Sequence, residues 1–348
     1  MLFELNGQKQ MLTIDTYKVE QFRDALAEAS NITIMAHKHP DGDAVGSALG
    51  LALTIEHNKK CKVNIVLPND APDTFQFLPA YNRILSADRD KEACEAALMN
   101  ADMIIGVDFN NAFRVEPLHQ ALTESKAIKA LIDHHELPDE ALFSILFSRP
   151  DFSSACELVY WVGKALWGDN CLTQDIARCL YTGINTDTGC FAYSNAQPSL
   201  YEAVAALMHY DIQPESIYNE INNNFSVDRM RFFGYCINNL LTINEALGYA
   251  YFTISLKDYE KFHLSDEDTE GLVNYTLKMK NIHVGALLKE QSDRIRISLR
   301  SKRDFDVNQF ARTYFEGGGH IKAAGGTSYI GLTYTAHRLD QLLKEALA

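Results

Sequence analysis

The stretch from Ile32 to Leu53 constrains this chain more than any other. The apolar run Ile32-Thr33-Ile34-Met35-Ala36 leads into His37-Lys38-His39-Pro40-Asp41-Gly42-Asp43-Ala44-Val45-Gly46-Ser47, and Ala48-Leu49-Gly50-Leu51-Ala52-Leu53 follows. A buried strand, a tight turn and a helix account for that order. Pro40 and the Asp41-Gly42 pair make the turn. Asp43 stands where an N-cap is expected, and Gly46 lets the new helix approach its neighbours. His37, Asp41 and Asp43 thus emerge at the carboxyl end of a strand, beside a helix N-terminus. Open α/β sheets bind ligands there. Imidazole with hard oxygens suits a divalent ion such as Mn²⁺ or Mg²⁺, and the absence of cysteine here argues against structural zinc.

The same pattern returns along the chain. Lys62 to Pro68 reads as a second strand. Met103-Ile104-Ile105-Gly106-Val107 ends on Asp108, and Ala130-Leu131-Ile132 ends on Asp133-His134-His135. Helical spacing is expected over Tyr17–Ser30, Glu92–Asn100 and Arg114–Glu124. Strands alternating with helices imply an α/β fold with a doubly wound parallel sheet. Helices are next expected over Ser153–Trp167 and Thr173–Asn185, with Asp187 in a Gly/Thr-rich turn from Gly183 to Gly189. A helical pattern runs from Leu200 to about Leu241, with Pro198 and Pro214 as breakers. From Gly248 the character changes. Tyr249–Ile254, Ile282–Leu288 and Arg294–Leu299 are strand-like, the last two forming a hairpin, and Val307–Phe315 and Thr335–Ala346 are helical. Gly317-Gly318-Gly319-His320 reads as a flexible, anion-binding loop. The expected architecture is a metal-binding domain over 1–225, a helical linker over 226–245 and a smaller α/β domain over 246–348, with the active site in the cleft between the domains.

Charge bounds the partners. The net charge of −14 disfavours gripping long nucleic acid over a broad surface, because backbone binding needs many cations. Short substrates in a local basic pocket remain open. The seven cysteines form no C-x-x-C pair and read as free thiols in a reducing compartment. Met1–Gly7 lacks the charged start and long apolar core of a signal peptide, and no run of about 18 apolar residues exists. A cytoplasmic protein with no membrane partner is expected.

His37, Asp41, Asp43, Asp108, His134 and Asp187 follow apolar segments. Packed together unpaired, they would repel one another and resist desolvation. Two divalent cations would resolve this, about 3.5–4 Å apart with a bridging carboxylate. Asp108, on a central strand, is the expected bridge. His135 is expected to contact phosphate or donate a proton, and Asp133 to orient a histidine. His39 reads as a solvated turn residue. Val273 to Arg303 is locally basic. Arg300 there can fork onto a phosphate or carboxylate, with Ser301 and the glycine loop as further donors. Arg114 is a further candidate for an anion.

This ordered set resembles the DHH phosphoesterase superfamily, whose name stands in the chain as Asp133-His134-His135. His37-x-x-Pro40-Asp41-Gly42-Asp43 is similar to the family's first motif, Asp108 to its second, and Gly183-x-x-x-Asp187-Thr188-Gly189 to its fourth. Arg300-Ser301, Gly317-Gly318-Gly319-His320 and Ala323-Ala324-Gly325-Gly326 resemble its DHHA1 C-terminal domain. The subgroup with the most likeness is the two-domain nanoRNase/pAp phosphatase type, also labelled exopolyphosphatase-related. The chain departs from it at Phe109-Asn110-Asn111, where relatives often carry small Thr or Ser.

The resemblance implies two divalent ions held by His37, Asp41, Asp43, Asp108, His134 and Asp187. Mn²⁺ is the expected metal, with Mg²⁺ or Co²⁺ as alternatives. It implies catalytic roles for Asp108, His135 and Asp133, and substrate contacts from Arg300, Ser301, Gly318, Gly319, His320 and Arg114. The implied activity is hydrolysis of short RNA and of 3′-phosphoadenosine 5′-phosphate by a hydroxide activated between the metals. Substrates are then short oligonucleotides and nucleotide bisphosphates, with no long nucleic-acid scaffold. A homodimer is compatible with the sequence. Three other readings stay open at this point. One is a cyclic- or linear-dinucleotide phosphodiesterase; another is a pyrophosphatase or processive exonuclease on the same metals; the third is a nucleotide-binding module without catalysis.

Overall fold

The computed structural model describes residues 14–193, 197–262 and 266–348. The Met1–Gly7 stretch read above for a leader lies outside the described residues. The chain divides between Asn224 and Phe225 into two compact units.

In the first unit the apolar runs become one parallel sheet. Its strands are β1 (Asn31–Met35), β2 (Lys62–Leu67), β3 (Ile84–Ser86), β4 (Met103–Val107), β5 (Ile128–Asp133) and β6 (Ile145–Ser148), in the order β3-β2-β1-β4-β5-β6. Parallel strands covered on both faces must be apolar on both faces. Met35, Val66, Ile104 and Leu131 feed one core layer, and their neighbours Ile34, Ile65, Ile105 and Ile132 feed the other. The first layer packs against α3 (Ala87–Met99) and α4 (His119–Glu124). The second packs against α1 (Thr16–Glu28), α2 (Gly42–Asn58), α5 (Ala155–Trp167) and α6 (Gln174–Asp187). The chain leaves β1 toward β2 and β3, then returns past β1 to β4, β5 and β6. The switch point therefore lies between β1 and β4, where such sheets open a crevice at their carboxyl ends.

Helices α2 and α6 approach closely because small residues line the contact. A Cβ at Gly46 would stand 2.6 Å from the Cys179 carbonyl, and one at Gly183 would stand 2.9 Å from Asp43 Oδ1. Asp187 is the last residue of α6 rather than part of the expected turn, so this contact carries it to the sheet. The helix outlasts the expected end, and Thr182, Thr186 and Thr188 return their hydroxyls to its own carbonyls. Pro198 and Pro214 do not break a longer helix. They open α7 (Pro198–Met208) and α8 (Pro214–Asn222) at the first turn, where a missing N–H costs nothing.

The second unit has its own sheet and core. Its elements are α9 (Val227–Tyr235), β7 (Leu241–Asn244), β8 (Tyr249–Ile254), α10 (Leu256–Phe262), α11 (Leu272–Thr276), β9 (Val284–Glu290), β10 (Ile295–Ser301), α12 (Val307–Tyr314), β11 (Gly318–His320), β12 (Ala323–Ser328) and α13 (Leu332–Leu347). The strand order is β11-β12-β10-β9-β8-β7, and β8 pairs with β9 in parallel while the other pairings are antiparallel. The segment 226–245 is built into this unit. Phe232, Phe233 and Cys236 pack with Phe252, Ile254 and Leu272, and β7 forms the edge of the sheet. Gly317–His320, expected as a flexible loop, instead enters β11, whose Gly318, Gly319 and His320 pair with Gly325, Ala324 and Ala323 on β12. Backbones meet there at a distance only glycine permits: a Cβ on Gly317 would collide with the Gly325 carbonyl. No helix among the described residues is long and apolar enough to cross a membrane.

Candidate metal centre and active site

Each strand end at the switch point delivers its polar side chains to one place. His37 follows β1, Asp108 follows β4, and His134 and His135 follow β5. Asp41 caps α2, its carboxylate accepting from the N–H groups of Asp43 and Ala44 at 3.0 and 3.1 Å. The cap is therefore Asp41 and not the expected Asp43. Asp41 prevails because its backbone is extended, as a cap requires, whereas Asp43 already lies within the first turn.

Asp108 is central. Its backbone takes a left-handed φ of 60°, a conformation aspartate tolerates better than most residues. Its carboxylate lies between two imidazoles. Oδ2 is 3.3 Å from His37 Nε2, and Oδ1 is 3.4 Å from His134 Nε2. Two donor groups made only of the expected ligands form around it, His37–Asp41–Asp108 and Asp43–Asp108–His134, each with one ligand-type atom per residue within 4.8 Å of the others; Asp108 also groups in this way with Asp133 and His135. Asp187 Oδ2 is 3.6 Å from His134 Nε2, adjoining the second group. The six expected ligands are thus brought together, and Asp108 belongs to both groups.

The surroundings fit these side chains to cations. His37 Nδ1 lies 2.9 Å from the Lys38 carbonyl, which fixes the ring so that Nε2 faces Asp108 and Asp41. Asp43 is 1% exposed and accepts from the N–H groups of Ala155 and Cys156 at 2.6 and 2.9 Å. Those are the first N–H groups of α5, which favour an anion. Against this, burial and then the Asp108 and Asp187 carboxylates push the Asp43 carboxyl well above the usual range. Burial likewise pushes Asp187 up to about 7, with Asp41 and Asp108 adding to it against the pull of His134. Burial opposes ionisation of Asp108 too, but hydrogen bonds from His134 and His37 override it and hold Asp108 well below the carboxylate range. Buried carboxylates sharing two histidines are short of positive charge, and a pair of divalent ions on the two donor groups supplies it.

A second layer lies beside this cluster. Asp133 is fully buried, and its Oδ1 lies 2.7 Å from His135 Nδ1. Its Oδ2 meets no hydrogen-bond partner among the described residues. His135 Nε2 is 2.9 Å from Arg114 Nη1. The network assigns the ring proton to Nδ1, with Nε2 accepting from Arg114. Arg114 therefore sits within the site and keeps further N–H groups for an anion. His39, read as solvated, donates its backbone N–H to Asn69 Oδ1 at 3.1 Å.

The expected substrate contacts of the second unit lie on its sheet. Arg300 is half-buried on β10 and its Nη1 donates to the Leu299 carbonyl at 3.0 Å. Ser301 is buried and its hydroxyl donates to the Phe305 carbonyl at 2.6 Å. Gly318, Gly319 and His320 form β11, where the Gly319 N–H donates to Asn308 Oδ1 at 3.0 Å.

One positioning residue escaped the sequence reading. Glu157 is fully buried and accepts from the Ser153 N–H at 2.9 Å, the Ser153 hydroxyl at 2.6 Å and the Ser199 hydroxyl at 2.6 Å. It pins the turn that aims Ala155 and Cys156 at Asp43. Its signal was present as Ser154-Ala155-Cys156-Glu157, the spacing of a helix-capping box.

Comparison with known proteins shows the family. A model of the DHH family N-terminal domain matches residues 31–184, and a DHHA1 domain model matches 247–348. A probable bifunctional oligoribonuclease and PAP phosphatase NrnA from Streptococcus mutans is 31% identical over 301 residues, spanning 85% of this chain and 90% of that protein. This chain belongs to the DHH family. Members of the DHH family are metal-dependent phosphoesterases, so this is a hydrolase of phosphate esters with a candidate centre for divalent ions. The bifunctional oligoribonuclease and PAP phosphatase NrnA of Bacillus subtilis is 28% identical over 304 residues, covering 85% of this chain and 90% of that one. The crystal structure of an exopolyphosphatase-related protein from Bacteroides fragilis superposes with a TM-score of 0.91 at 32% identity, covering 96% of this chain and 98% of that chain.

Proposed function

We propose that this DHH enzyme is a cytoplasmic, Mn²⁺-dependent hydrolase of short nucleotides, removing terminal mononucleotides from short RNA and the 3′-phosphate from 3′-phosphoadenosine 5′-phosphate. The observation that carries this reading is Asp108 shared between two donor groups at the sheet's switch point. The names of the S. mutans and B. subtilis relatives support the substrate class. His37, Asp41 and Asp108 would hold one ion, and Asp43, Asp108, His134 and Asp187 would hold the other. When bound, such a pair supplies Lewis-acid activation of a water and neutralises charge at phosphorus.

The chain's own residues do the rest. Asp43 and Asp108 are fixed by backbone N–H groups and by imidazoles, so the ligands are organised before substrate arrives. Arg114 turns its free N–H groups to a phosphoryl oxygen. His135, held by Asp133, keeps Arg114 aimed and can take a proton at Nε2 once Arg114 engages phosphate. Arg300, Ser301, Gly318, Gly319 and His320 are the proposed substrate contacts of the second unit. A net charge of −14 suits a substrate with few phosphates.

The test is a turnover panel with Mn²⁺ on one purified sample. It contains the bisphosphate, RNA dimers to pentamers, a cyclic dinucleotide, pyrophosphate and a long single strand. Phosphate from the bisphosphate and mononucleotides from the short RNAs are expected. Preference for the cyclic dinucleotide or pyrophosphate would reject the substrate assignment, and a fully metal-loaded protein inert on all five would reject catalysis.

A further inference from the structure

Phe113 has no task in the chemistry above. It precedes Arg114 on the turn 112–115, and the residue is 77% exposed. A single exposed phenylalanine carries no message by itself. What sets Phe113 apart is how it is held, and where. Its backbone N–H donates to Asn111 Oδ1 at 3.1 Å. The next carbonyl, that of Arg114, accepts from the Lys38 N–H at 2.7 Å, and the Arg114 guanidinium meets His135 at 2.9 Å. The turn is thus tied to the loop after β1 and to the loop after β5, the two that carry His37 and His134. The ring is backed as well. It stacks on His119 with centroids 5.6 Å apart and planes 18° from parallel, and His119 Nδ1 is 2.8 Å from Glu116 Oε1.

We propose that Phe113 is a stacking platform for a nucleobase of the substrate, and so a specificity-determining residue of this site; the proposal rests on the nucleotide reading above. The carboxylates of the centre recognise metal but give a base nothing flat to lie on, and the His37 and His134 rings are turned to those carboxylates. Aromatic faces accept any base, because every base has a π face. Phe113 and Arg114 are consecutive on this turn, so one tied segment carries both a π face and a phosphate donor. A base on Phe113 would extend the stack that His119 begins.

Binding tests this apart from catalysis. Calorimetry on the Mn²⁺-loaded protein compares adenosine 5′-monophosphate with 1,2-dideoxyribose 5-phosphate, a sugar phosphate without a base. The wild type is expected to prefer the nucleotide. Phe113→Ala should weaken nucleotide binding by roughly tenfold and leave the base-free ligand unchanged, while Phe113→Trp should keep the preference. An unchanged preference in Phe113→Ala, an equal loss on both ligands, or no preference in the wild type would overturn the platform. Turnover of 3′-phosphoadenosine 5′-phosphate by the wild type is scored separately. Its absence alongside an intact, Phe113-dependent base preference would reject the phosphatase reading and uphold the platform.

Discussion

Asp43 is held by the backbone of α5, and that backbone is held in turn by Glu157. Removing Glu157 should therefore reach the metals without touching them. Glu157→Ala is expected to weaken Mn²⁺ binding by about 10–100-fold, and Glu157→Gln, which can still accept from Ser153, should recover most of that. Equal Mn²⁺ affinity in the alanine variant and the wild type, measured by calorimetry, would make Glu157 a packing residue only. Arg300 tests a different contact. If it binds ground and transition states alike, Arg300→Ala raises KM for the bisphosphate with kcat little changed. Unchanged kinetics in both terms would leave Arg300 as a sheet residue with no substrate role. At this scale the sequence was informative about placement wherever a candidate ligand followed an apolar run, as at His37, Asp108 and His134. It was silent on the burial of Glu157, because a carboxylate in the first turn of a helix reads as solvated surface until the fold covers it.

Element by element, the site depends on how near α6 comes to α2. Gly46→Ala places a Cβ 2.6 Å from the Cys179 carbonyl, and backbone cannot move aside as a side chain can. A loss of about 1–3 kcal/mol is expected, read as a lower Tm, together with weaker Mn²⁺ binding because Asp187 rides on α6. A variant as stable as the wild type would show that the helices separate freely. In the second unit, Asp258 in the first turn of α10 reaches back to Ser255, just before the helix. The Ser255 N–H and hydroxyl donate to Asp258 Oδ2 at 2.9 and 2.6 Å, and the Tyr235 hydroxyl donates to Oδ1 at 2.9 Å. Burial opposes the Asp258 anion, but these hydrogen bonds prevail and hold its carboxyl below the usual range. A carboxyl lowered on folding stabilises above its unfolded value, near 3.9, and that contribution is lost as pH falls through the folded value. Asp258→Asn should thus cost about 1 kcal/mol at pH 7, the gap closing on acidification below about pH 4. A gap that is the same at pH 7 and pH 3 in denaturant titrations would contradict this role of the Asp258 anion. Element type was legible for β1, β4, β5 and β8, whose apolar runs stand alone. It was not legible for β11, Gly318–His320, because the close approach at Gly317 and Gly319, not strand propensity, lets the backbones pair there. Nor was it legible for β3, three residues long at the edge of its sheet.

For the molecule as a whole, the strand order β3-β2-β1-β4-β5-β6 turns scattered residues into one centre. His37 and Asp108 are 71 positions apart by their numbers, yet their strands are neighbours, so the switch point sets the 3.3 Å between their side chains. The alternation of strands and helices announced the sheet, but the order of its strands follows from the crossovers and is visible only in the fold. The central claim is that Asp108 is shared by two cations, and metal stoichiometry tests it most directly. Mn²⁺ titration by calorimetry, with metal analysis of the same samples, should give two ions per wild-type chain. Asp108→Asn, which keeps the side-chain volume and suits the left-handed backbone, should lose tight binding of both and all turnover with them. One ion per wild-type chain, or two in the Asp108→Asn variant, would contradict the shared centre.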